Sequence, residues 1–136
     1  MNDYNENVLK TKNQLLKHFT NGFAHNLILW IISKETIHGY GIMKRLDDFF
    51  GYDEDFKNTS SKIYPLLRKM EHNGLIIGEW GVNENNKRVK YYTITDDGLT
   101  VLYLCREKFE KFQANPNWLE FIKDYSGMEF NNEKHN

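Results

Sequence analysis

Ser60-Ser61-Lys62-Ile63-Tyr64-Pro65-Leu66-Leu67-Arg68-Lys69-Met70-Glu71-His72-Asn73-Gly74 is the stretch whose reading decides the fold. At about 100° per residue, Ile63, Leu66, Leu67 and Met70 share one narrow arc, a core-facing stripe. Ser61, Pro65, Arg68 and His72 fall opposite, with Tyr64 on one flank and Lys62 and Lys69 on the other. The serines supply a hydroxyl cap. Pro65 sits early enough to remove at most about one backbone hydrogen bond. Asn73-Gly74 supplies a left-handed stop. Next come two apolar and basic runs, Leu75 to Val82 and Arg88 to Ile94, around the turn Asn83-Glu84-Asn85-Asn86, which predict a hairpin. A helix followed by a basic two-stranded ribbon is the layout of a winged helix-turn-helix. The expected fold class is mainly α with a small β-hairpin wing, plus a C-terminal dimerisation helix.

The N-terminal end of such a helix enters the major groove first and needs small or hydrogen-bonding groups. Ser60, Ser61 and Lys62 fit that need, and Tyr64 adds a ring and a hydroxyl. Arg68 and Lys69, a turn on, suit phosphate oxygens along the groove wall. Lys87, Arg88 and Lys90 can follow a backbone or enter the minor groove. Tyr40, beside the preceding turn, joins this set of expected DNA contacts. The charge distribution agrees. The whole chain of 136 residues carries −1, yet residues 57–92 hold seven Lys and Arg against three Asp and Glu, a local +4.

Working outward, residues 8–20 predict a short helix with Leu15, Leu16 and Phe19 on one side, separated by Gly22 from a second helix over Phe23–Ser33. His38-Gly39-Tyr40-Gly41 reads as a turn into a helix with Ile42, Leu46, Phe49 and Phe50 on one face, and Asp53-Glu54-Asp55 as a solvated acidic loop. Thr95-Asp96-Asp97-Gly98 caps the helix from Leu99 to about Gln113. Its apolar groups cover more than half of the wheel, too much for one core contact. Leu99, Leu102, Cys105, Phe109 and Phe112 are therefore expected to meet a second copy of the chain. Beyond Asn115-Pro116, Trp118, Phe121, Ile122 and Tyr125 recur as a short amphipathic helix, followed by a flexible tail from about Met128. The expected organisation is an N-terminal helical appendage (1–20), the winged-helix domain (21–94), the dimerisation helix (95–113) and the final helix with its tail (114–136).

The motifs His38-Gly39-Tyr40-Gly41-Ile42, Ile63-Tyr64-Pro65-Leu66-Leu67-Arg68-Lys69-Met70-Glu71-His72-Asn73-Gly74-Leu75-Ile76 and Lys90-Tyr91-Tyr92-Thr93-Ile94-Thr95-Asp96-Asp97-Gly98, with the Gly22-Phe23 opening, resemble the PadR family of transcriptional regulators over about residues 22–112. The resemblance implies a homodimeric repressor on an inverted-repeat operator in double-stranded DNA, its C-terminal helix packed on the partner's N-terminal region. It also implies release by a small hydrophobic or phenolic effector. Ser61-Lys62 stands where the family often has Gly-Thr, so base preference is expected to differ, and in the wing Asn86-Lys87-Arg88 stands in place of a Gly-Arg-Pro-like approach. The dimerising helix is short and lacks tryptophan, so no ligand-binding residues carry over. Trp30, Trp118, Tyr103 and Phe109 are read first as core or interface packing and second as walls of an effector pocket.

Other chemistries are weakly supported. His18 and His25 lie seven apart without a matching Cys or carboxylate pattern, so no metal or cofactor is expected. Cys105, the single cysteine, sits in an apolar stripe and reads as a packing thiol rather than a nucleophile. Gly39-Tyr40-Gly41 lacks the third glycine and preceding strand of a nucleotide fingerprint, and no catalytic constellation is present. The N-terminus lacks signal-peptide features, and Leu27–Ile32 is far below the ~20 residues of a membrane span. A cytoplasmic protein, not an enzyme and not bound to a membrane, is expected. The rival reading is a winged-helix protein-interaction module that ignores DNA.

Overall fold

The computed structural model describes residues 4–51, 53 and 62–127. It consists of α1 (Glu6–Lys34), β1 (Ile37–His38), α2 (Gly39–Phe50), α3 (Ile63–His72), β2 (Ile76–Val82), β3 (Arg88–Ile94), α4 (Asp96–Ala114) and α5 (Pro116–Lys123). The mainly helical architecture with a hairpin wing is the expected fold class. Glu54, Asp55 and the tail from Met128 lie outside the described residues.

Two local expectations are corrected. The helices expected on either side of Gly22 are one continuous helix, α1, capped at Asn5, whose side chain accepts from the Val8 N–H at 2.9 Å. A single internal glycine costs about 1 kcal/mol relative to alanine, too little to break a helix with good formers on both sides. Secondly, His38-Gly39-Tyr40-Gly41 is not a free turn. Ile37 and His38 form a short strand paired with Tyr92 and Tyr91 of β3. The His38 Nδ1 then caps α2 by accepting from the Gly41 N–H at 3.0 Å.

The sheet is antiparallel with order β1-β3-β2, and β2 and β3 run in register from Ile76↔Ile94 to Val82↔Arg88. Its inner end closes a core built by Ile28, Leu29, Ile31 and Ile32 of α1, Ile42, Leu46 and Phe50 of α2, and Ile63, Leu67 and Met70 of α3. Ile76, Tyr92 and Leu102 complete it. The α3 stripe is thus the one its spacing predicts, with Leu66 half-buried at the edge.

Helix α3 stops as expected: Gly74 adopts φ +75°. Its N–H donates to the Glu71 carbonyl, and the Leu75 N–H reaches back to Met70 at 2.9 Å, a Schellman arrangement. The Leu75 carbonyl then accepts from both the N–H and the hydroxyl of Thr95, while the Thr95 hydroxyl oxygen accepts from the Gly98 N–H and caps α4. Gly98 is buried at this junction, where a Cβ would collide with the Leu75 carbonyl oxygen and lie 2.7 Å from Ile94 Cγ1. Backbone cannot yield as a flexible side chain can. Gly98→Ala is therefore expected to destabilise by about 1–3 kcal/mol, the usual scale of overpacking, seen as a lower urea midpoint with an unchanged m-value. An unchanged midpoint would show that the junction is looser than its geometry.

Candidate nucleic-acid interface

Burial of Ile63, Leu67 and Met70 turns Tyr64, Arg68 and Lys69 outward on α3. Tyr64 does more than point at solvent. A Cβ at Gly39 would lie 2.7 Å from its ring Cε1 and 2.9 Å from its hydroxyl, so the ring rests against the α2 backbone and braces α2 on α3. Tyr40, 61% exposed, stands one residue along in the first turn of α2, with the Lys44 ammonium 5.7 Å from its ring centre.

At the start of α3 the cap position is Lys62, which makes no side-chain capping bond. Ser60 and Ser61 lie outside the described residues. Lys62 is exposed, and Lys17 of α1 comes beside it. Hydrogen bonding to Lys17, and then like-charge repulsion from it, holds the Lys62 ammonium below the usual lysine range. Lys17 adds a second cation to this end of the interface. Its sequence neighbourhood carries no such signal, because the proximity depends on α1 running unbroken past Gly22.

Along the α3-facing side of the wing, the chemistry changes in steps. Ile76 is buried at the base, and Tyr92, 5% exposed, follows. Next, the Lys90 ammonium donates to Glu71 Oε1 of α3 at 2.9 Å. Farthest out, the Arg88 guanidinium stacks 4.7 Å from the Trp80 ring centre. Burial raises the Tyr92 phenol above its ordinary range, opposed by the charge of Lys90. The hydrogen bond it donates to Glu71 raises the Lys90 ammonium above the usual lysine range. Lys87 and Arg88 are exposed, whereas Lys90 is only half so. Trp80, 60% exposed on β2, is a candidate interface residue that sequence reading missed. Its signal was its place directly across from Lys90, on the same face as Arg88.

The face expected to meet a second copy is divided by the structure. Leu99, Phe109 and Phe112 are exposed on α4, at 46, 38 and 61%. Cys105 is half-buried. Leu102 is corrected: it is 7% exposed and belongs to the chain's own core, because it turns toward α1. Tyr103 and Leu104, at 64 and 53%, extend the exposed face instead. Between α1, α2 and α4 lies an open cleft of about 920 Å³ lined by Phe23, Trp30, Phe49, Tyr103 and Phe109, with Arg106, Glu107 and Glu110 also on its walls. Trp118 is not part of it and packs on Phe112 and Phe121. Among the described residues no three His, Cys, Asp or Glu side chains gather as metal ligands, and no helix is long and apolar enough to cross a membrane.

Comparison with known proteins agrees with this geometry. No curated protein matches the chain. Among solved structures, a PadR-like transcriptional regulator from Bacillus cereus is 28% identical, with a TM-score of 0.63 over 79% of this chain and 98% of that one. A transcriptional regulator from Clostridium thermocellum is 26% identical, with a TM-score of 0.59 over 71 and 92% of the two chains. A PadR family transcription regulator from Clostridium difficile, at 22% identity and a TM-score of 0.57 over 68 and 92%, shares the fold. The transcriptional regulator PadR-like family matches residues 28–103, more than half of the chain and all of the core from α1 to the middle of α4. The protein belongs to that family, and is a DNA-binding transcriptional regulator rather than an enzyme.

Proposed function

We propose that the protein is a homodimeric repressor that reads an inverted repeat through Tyr64, Arg68 and Lys69 of α3 and the wing cations Lys87 and Arg88. Tyr40, Ser60, Ser61 and Lys62 complete the contact set at the leading end of the helix. The observation that carries the reading is the shared exposure of Tyr40, Lys62, Tyr64, Arg68, Lys69, Lys87 and Arg88 beside a core that joins α3 to the wing. Two copies related by a two-fold axis place their α3 helices on half-sites about one helical turn, ~10 bp, or a multiple of it apart. The domain partition of the sequence reading is proposed unchanged, with residues 6–20 forming the outer part of α1.

The second copy supplies what α4 lacks. Leu15 and Phe19 on α1 are 65 and 59% exposed, and they are complementary in character to Leu99, Leu104 and Phe112 on α4. The N-terminal half of one α1 crosses the partner's α4 in this arrangement. Phe112→Asp is expected to weaken the dimer by about 30-fold or more, the effect of losing a hot spot of about 2 kcal/mol. Sedimentation would register this, and a dimer of unchanged affinity would refute the interface. The cleft beside it is proposed to take a hydrophobic or phenolic effector whose binding lowers operator affinity.

The decisive experiment is fluorescence anisotropy of the purified protein with the DNA upstream of its own coding sequence and with a scrambled duplex, at two salt concentrations. Salt-sensitive binding that favours the native fragment is expected. A protein that binds neither duplex at moderate salt is not acting as proposed.

A further inference from the structure

The wing cations are not equivalent. Among the described residues, Arg68, Lys69, Lys87 and Arg88 form no ion pair with another side chain, whereas Lys90 is paired with Glu71 of α3. About 30% of each side chain in that pair stays exposed. We propose that Lys90 and Glu71 are positioning residues, a tie between the last turn of the recognition helix and the wing that sets the angle at which both meet DNA. In this reading, which rests on the interface proposed above, Lys90 is not itself a phosphate contact.

Three features around the pair support a built tie rather than a chance surface contact. Lys90 passes over the buried Tyr92, its ammonium 5.8 Å from the ring centre. Gly78 on β2 leaves the space through which the lysine stem runs. A Cβ there would collide with Lys90 Cε and stand 3.1 Å from both Glu71 Oε2 and the Tyr92 ring. Finally, the pair joins α3 to β3 immediately outward of Tyr92, the β3 side chain that closes the core on this face.

Electrostatics alone makes an opposite prediction for Glu71, and that contrast gives the test. A carboxylate near DNA repels phosphate, so if Glu71 had no positioning role its removal would tighten binding. If it sets the angle, its removal weakens binding to a specific site. The probe is a duplex recovered by the unaltered protein from a random-sequence pool, with a scrambled duplex beside it. Glu71→Gln and Lys90→Met are each expected to weaken the selected duplex about tenfold, the scale of coupling between contacting residues. Binding to the scrambled duplex and the slope of log K against log salt should both change little. The double variant should be no worse than either single one, and Lys90→Arg should retain most of the affinity. Glu71→Gln binding as tightly as the parent or tighter, with Lys90→Met flattening the salt slope by about 1 unit, would overturn the proposal and make Lys90 a phosphate contact. Arg68→Ala separates the two layers of the argument. If it too binds at full affinity, the interface reading fails. If it alone weakens binding, only the positioning role fails.

Discussion

Truncation of Leu67 to alanine is expected to lower the unfolding free energy by about 2–5 kcal/mol, the range for emptying a well-packed leucine site. Leu67 has 0% exposure and stands between Ile63 and Met70, the other two buried side chains of α3. These three hold a ten-residue helix to the core, and loss of the middle one leaves a void that Ile63 and Met70 flank. Against a total stability of about 5–15 kcal/mol for a domain, such a loss is large. Chemical denaturation followed by circular dichroism would measure it. A change below about 1 kcal/mol would mean that α3 is not anchored as described.

Arg68, the next residue, is expected to fail in a different way. It faces outward, so Arg68→Ala should leave stability within about 0.5 kcal/mol of the parent while weakening operator binding by about 5- to 150-fold, equivalent to about 1–3 kcal/mol. The form of the loss identifies the contact. A lost phosphate contact weakens all duplexes alike and reduces the salt slope by about 1 unit. A lost base contact instead relaxes preference at one position of the half-site. Anisotropy over a salt series and a set of single-base variants distinguishes them, and undiminished affinity would remove Arg68 from the interface. Two adjacent residues thus report separately on folding and on recognition.

Much of the fold was legible because it is written in local chemistry. The stripe of α3, the left-handed stop at Gly74, the Thr95 cap and the limits of β3 all depend on residues within one or two turns of each other. What escaped was set by distance or by scale. A two-residue strand such as Ile37–His38 is too short to show a period, and only its partner Tyr92 reveals it. Gly22 has the chemistry of a break, but the helix on either side outweighs a cost of about 1 kcal/mol. Leu102 and Phe112 look alike along an apolar stripe, and only the placement of α1 separates an inward from an outward residue. Lys90 shares its charge with Lys87 and Arg88, yet Glu71, which changes its role, lies nineteen residues away. A wing cation is read from composition. Whether that cation is already engaged is a property of the tertiary structure.

The unbroken course of α1 has a consequence for any chimera or truncation. Its 29 residues make a rod about 43 Å long at ~1.5 Å per residue, inner end in the core and outer end in solvent. Because each residue turns the helix by about 100°, deleting one residue between Leu16 and Gly22 would rotate everything before the deletion by that angle. Leu15 would swing about a quarter-turn around the axis while Ile28 and Ile32 stayed in place. The outer half thus has a fixed phase relative to the core, and insertions close to a whole number of turns, such as about four, seven or eleven residues, come near to preserving it. Length can vary along this rod far more freely than azimuth.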